Sequence, residues 1–188
     1  LTSLMLLPCA VIVVLSALAL ALLPGTVTRR PSRAQPGDLA AIVVLYIAVV
    51  GLMRLAFVGF GTDHVAGLVL SFAAALLLGV AGPVYYTVWR RGLPLSRLGL
   101  RRDGLRTAAL LALLFGGVQF ALTLWGYDLP APVDWVPLLV MALVVGIFES
   151  VFFRGFVQTV LEERFGPVIG VAAAALLYGA YHVGYGMG

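Results

Sequence analysis

Glu149 and His182 are the residues here best equipped for chemistry, because each sits in an apolar run where charge is expensive. A charged group in membrane hydrocarbon costs about 2.5–3.5 kcal/mol on insertion scales, so such a residue needs a partner or a task. Glu149 stands in Phe148-Glu149-Ser150-Val151-Phe152-Phe153-Arg154-Gly155, and His182 closes Tyr178-Gly179-Ala180-Tyr181-His182. The two are equidistant from Phe165-Gly166, the predicted turn of a helical hairpin. On regular helices each lies about 24 Å along its arm at ~1.5 Å per residue, so the two share a depth. Glu149 could then accept a proton from a water that His182 also orients, which is general-base chemistry for hydrolysis. The pair could also hold a divalent metal such as zinc, although two ligands do not complete a tetrahedral site. A structural hydrogen bond, a proton relay or a transporter's ion site would use the same two residue types.

The neighbours follow from helical spacing. Tyr178 and His182 are four apart and share a face, as do Ser150 and Arg154. Glu149 lies about 140° round an α-helix from Arg154, so those two need not pair. Arg154 could snorkel to the cytoplasmic headgroups instead. Gly166-x-x-x-Gly170 and Ala172–Ala175 supply small residues that let the arms approach.

The composition sets the solvent. Of 188 residues 62% are hydrophobic and 11% charged, against about 25% charged in an ordinary soluble domain. A multi-pass, all-α membrane bundle is the class this implies. The net charge is +4, and all twelve basic residues are Arg. That excess reads as a topology signal rather than a nucleic-acid surface, so the lipid bilayer is the expected partner and nucleic acid is not. Arg use without Lys points to a GC-rich, bacterial source. The single cysteine, Cys9, excludes an intrachain disulfide and a Cys-based zinc site.

Six helices are expected. Leu4 to Leu23 is the first, read as a retained span rather than a signal peptide, because no basic stretch precedes it. A polar loop follows to Asp38, then Leu39 to Phe60, and Val65 to Trp89 with a kink at Gly82-Pro83. Arg90 to Arg106 is a basic loop in which Leu95 to Leu100 is expected to lie as an amphipathic segment at the lipid surface. Thr107 to Trp125 is the fourth helix, and Trp135 opens the fifth. The fifth ends at Glu162-Glu163-Arg164, taken as a solvated helix end. The sixth starts near Val168. Ten of the twelve arginines fall in the first, third and fifth loops, which places those loops in the cytoplasm and the N-terminus outside. Residues 1–188 form one integral-membrane domain on this reading, with residues 135–188 as the hairpin that carries the site. The chain begins at Leu1 and stops at Gly188 within an apolar run, so a longer parent with one or two more helices is expected.

The hairpin resembles the CPBP family of intramembrane proteases, which contains the CAAX prenyl endopeptidases and bacteriocin-processing enzymes. Glu149-Ser150-x-x-x-Arg154 is similar to that family's first motif, Glu-Glu-x-x-x-Arg, and Tyr178-x-x-x-His182 to its second, Phe-x-x-x-His. Leu98-Gly99-Leu100-Arg101 and Val157-Gln158-x-x-Leu161-Glu162-x-x-Phe165-Gly166 also read like the family. The resemblance implies a helical membrane peptidase cutting a membrane-associated peptide or protein, with a site reached from the cytoplasmic side. It implies that Glu149 and His182 activate the water and that Arg154, with Ser150 and Tyr178, supports or orients the substrate. The second motif Glu is Ser150 here, which removes the carboxylate four residues before Arg154. The family's later His-x-x-x-Asn/Asp motif is not in this sequence, and losing one such oxyanion donor costs about 10²–10³ in rate. A non-catalytic transporter, immunity protein or scaffold keeping the same fold is the alternative.

Overall fold

The computed structural model describes residues 34–61, 64–126 and 135–184. The expected first helix, Leu4 to Leu23, lies outside the described residues. Every described element is helical, and four helices are long and apolar enough to cross a membrane. The molecule is an all-α, multi-pass membrane bundle. Contacts group the chain into two compact units. The described part of one is mainly the helix Leu105–Gly126, here α3. The other holds residues 29–100 and 137–188 and contains every candidate site residue.

Within that second unit, α1 runs from Pro36 to Phe60, and its last six residues, Leu55–Phe60, form wide π turns. It begins earlier than the sequence suggests. Pro36 stands in the first turn, where its missing N–H is no loss. The Asp38 carboxylate accepts the Gln35 backbone N–H at 2.9 Å, which satisfies a donor at the helix start. Asp38, expected in a polar loop, is therefore a fully buried helix residue. Ile42, Val49, Met53 and Ala56 face the core, while Val43, Val44 and Ile47 are exposed. A helix apolar on both sides suits a bundle solvated by lipid.

The second helix of this unit, α2, spans Val65–Arg90. It continues through Gly82-Pro83 as a short α stretch, Gly82–Tyr85, between two π segments. The basic loop after it is not a surface amphipath. Leu95–Leu98 forms a 3₁₀ turn whose Arg97 and Leu98 are buried.

Residues 135–165 make one long helix, α4, in three parts: an α-helix Trp135–Glu149, a π-helix Ser150–Gln158 and an α-helix Thr159–Phe165. The turn comes where the sequence places it. Gly166 has φ +88°, a left-handed conformation that glycine accepts freely. The returning arm, α5, is Pro167–Gly184. A Cβ on Gly170 would collide with the Glu162 backbone, so the small-residue motif does bring the arms close. Phe148, Phe152, Phe153 and Phe156 form the spine of the core, with Phe152 and Phe153 packed edge to face at 5.0 Å.

Candidate active site

Glu149 closes the first α-helical part of α4, and the wide turns begin at the next residue. On an α-helix residue i+5 stands about 140° round from residue i; the wider turns that come with i→i+5 pairing bring it closer to the same face. The widening changes which side chains meet. Glu149 and Arg154, five apart, line one cleft of about 160 Å³. Tyr178, Gln158 and the small Ala174 and Ala175 complete its wall. Ser150, expected to share a face with Arg154, is exposed and is not part of that wall. Among the described residues the Arg154 guanidinium makes no ion pair.

The two arms meet at Glu149. The Tyr178 hydroxyl donates to Glu149 Oε2 at 2.8 Å. His182 Nε2 stands 3.9 Å from Glu149 Oε1. That gap is too long for a direct hydrogen bond and short enough for one water oxygen to reach both atoms. His182 Nδ1 lies 3.1 Å from the Tyr178 carbonyl. A carbonyl can only accept, so Nδ1–H donates, and in the neutral ring Nε2 is left as an acceptor aimed toward Glu149. The side chains of Glu149 and His182 are 24% and 32% exposed, so the pair is reachable. Tyr178 packs its ring on His182 with centroids 4.6 Å apart, and Phe153 backs Tyr178 at 5.0 Å.

Two features were not read from the sequence. Tyr46 on α1 donates to the Leu177 carbonyl at 2.8 Å, which ties α5 to α1 beside Tyr178. A buried polar network also closes one end of the unit. Arg97 makes two hydrogen bonds to Glu163, Nε to Oε1 at 3.1 Å and Nη2 to Oε2 at 2.6 Å. The same Nη2 is 3.5 Å from Asp38 Oδ2, and Asp38 also accepts from Arg91 at 2.7 Å and from the Tyr86 hydroxyl at 2.8 Å. Two carboxylates thus balance two guanidiniums. Burial works against the Arg97 charge, but Glu163 and Asp38 outweigh it and hold the guanidinium above its usual value. Glu163, taken from the sequence as solvated, is buried; Glu162 instead accepts from Gln158 at 2.6 Å.

Among the described residues no group of three or more His, Cys, Asp or Glu side chains is placed to hold a metal ion. Glu149 and His182 supply two ligands, one fewer than a catalytic zinc site takes from protein. The described residues do not fit a zinc centre.

The fold and the site define a helical membrane protein with a carboxylate–imidazole pair set across a hairpin. Residues 130–188 match the family model described as Type II CAAX prenyl endopeptidase Rce1-like. The resemblance read from the motifs is borne out over that segment, and the match supports an intramembrane protease. No curated protein and no solved structure matches the chain.

Proposed function

We propose that the protein is an intramembrane endopeptidase in which Glu149 and His182 share the attacking water. The observation that supports this most is the 3.9 Å approach of Glu149 Oε1 to His182 Nε2 across the hairpin. The Tyr178 hydroxyl occupies Oε2, so Oε1 is the oxygen left to face the water. The water donates one hydrogen to Oε1 and the other to His182 Nε2, which aims an oxygen lone pair into the cleft. As that oxygen bonds to the scissile carbonyl carbon, Glu149 takes the water's proton. The tetrahedral intermediate then breaks its C–N bond, and the same proton passes to the departing amine. General-base help of this kind contributes about 10²–10⁴ in rate. Arg154 lines the cleft, makes no ion pair among the described residues, and orients the substrate there. The substrate is a membrane-associated peptide or protein.

The test is cleavage of a membrane-embedded peptide by the full-length protein in nanodiscs, beside Glu149→Gln and His182→Ala. Cleavage by the parent alone supports the roles, and equal cleavage by all three overturns them. A non-catalytic membrane protein on this fold is the second reading, favoured by Ser150 in place of the motif carboxylate. Absence of cleavage by the parent across a library of embedded peptides would select it.

A further inference from the structure

The 3₁₀ turn Leu95–Leu98 lies directly against the wide-turn part of α4. A Cβ on Gly155 would collide with the Leu98 carbonyl, so backbone rests on backbone at that point. Leu98 itself is 3% exposed. Arg97, beside it, is tied by two hydrogen bonds to Glu163, eight residues beyond Gly155 on the same helix. Its guanidinium also reaches Asp38 on α1 at 3.5 Å, and Arg91 and Tyr86 hold Asp38 in turn. The turn is therefore pinned to both helices by charge. What it presses on is Ser150–Gln158, the stretch whose i→i+5 pairing puts Arg154 in the cleft with Glu149. Wide turns occur in α1 and α2 as well, but of the described π segments only Ser150–Gln158 contributes residues to the cleft.

We propose that Arg97 is a positioning residue for the cleft: its ion pair with Glu163 seats the Leu95–Leu98 turn on Gly155 and so holds Ser150–Gln158 in wide turns. Return to i→i+4 pairing rotates the segment, and the Leu98 carbonyl blocks that rotation while the turn is seated. On a regular α-helix Arg154 would stand about 140° round from Glu149 and leave the cleft. The kinetic half of this inference rests on the peptidase reading; the geometric half does not.

The test uses full-length protein in nanodiscs with Cys9→Ala, which removes the native thiol. Two variants release the clamp. Arg97→Met with Glu163→Leu deletes the ion pair without stranding a buried charge. Gly155→Ala keeps the pair but drives the Leu98 carbonyl outward. In the geometric arm, Arg154→Cys with Ala175→Cys places two thiols on the cleft wall. A bifunctional thiol reagent of cleft length should join the introduced thiols across the cleft, and either release should abolish most of that cross-link. In the kinetic arm, with Arg154 and Ala175 native, each release should lower kcat by about 10²-fold, the scale of a small misplacement in an active site, with KM little changed. A fall in thermal stability alone, with cross-link and kcat as in the parent, overturns the proposal. Failure of the thiols to join in the parent overturns it as well. If the parent cleaves no peptide, the peptidase reading fails and the thiol result alone decides this one.

Discussion

Removing the charge of Glu163 should destabilise the protein more than removing the whole ion pair. The Arg97 and Glu163 side chains are 6% and 4% exposed, so water replaces neither partner readily. Breaking a buried pair from one side typically costs about 3–5 kcal/mol, because a bare charge is left behind. Glu163→Gln leaves an amide that can accept one guanidinium N–H but turns a donor toward the other. The network of Asp38, Arg91 and Arg97 then carries one excess positive charge. Asp38, 3.5 Å from Arg97, compensates in part, although Arg91 already engages it at 2.7 Å. The loss should therefore fall to about 2–3 kcal/mol, below the range for an isolated pair. At roughly 2–4 °C per kcal/mol for a chain of this size, Tm drops by about 4–12 °C. Arg97→Met with Glu163→Leu removes both charges, leaves Asp38 with Arg91, and should stay within about 1 kcal/mol of the parent. The assay is thermal unfolding in one detergent, followed by tryptophan fluorescence, for the parent and both variants. A single variant as stable as the parent, or a double variant less stable than the single one, refutes the reasoning.

Tyr178→Phe deletes the hydroxyl that donates to Glu149 Oε2, a hydrogen bond to a charged group worth about 1.5–3 kcal/mol. Steady-state kinetics should show kcat reduced roughly tenfold or more, with the unfolding temperature nearly unchanged. Ala175→Leu fills part of the cleft of about 160 Å³, and peptide cleavage should fall while folding, read by size-exclusion profile, is retained. The raised Arg97 value carries a sign: its stabilising charge is fully present below the ordinary arginine range and is lost only as pH rises past the still higher folded value. Tm measured at pH 7 and at pH 10 should therefore show no loss attributable to Arg97.

The sequence made some of this legible and hid the rest for physical reasons. The spans show because lipid demands long apolar helices, and α1, α2 and the hairpin fall close to the apolar runs. The Phe165-Gly166 turn shows because glycine marks a left-handed residue, and symmetry about it brings Glu149 level with His182. Helical spacing also puts Tyr178 and His182 on one face, as the ring contact reflects. The joint approach of Glu149 and Arg154 to one cleft was not legible, because a π segment brings residue i+5 closer round the helix than α spacing does and nothing local in the sequence announces it. The ion network was hidden for a different reason. Arg97 and Glu163 are 66 residues apart, and Arg91 and Asp38 are 53 apart. Read locally, each looks like an ordinary loop or helix-end charge. The one sequence hint was the imbalance itself: eight acidic residues stand against twelve arginines, so each carboxylate has more than one cation available to it.

The central claim is that Glu149 and His182 act on one water, and a double-mutant cycle on kcat tests it most directly. Groups that act as a unit lose their effect together, so the variant carrying Glu149→Gln and His182→Ala should be as slow as the slower single variant and no slower. A double variant whose loss is the product of the two single losses would mean that the residues work independently, and would contradict the account.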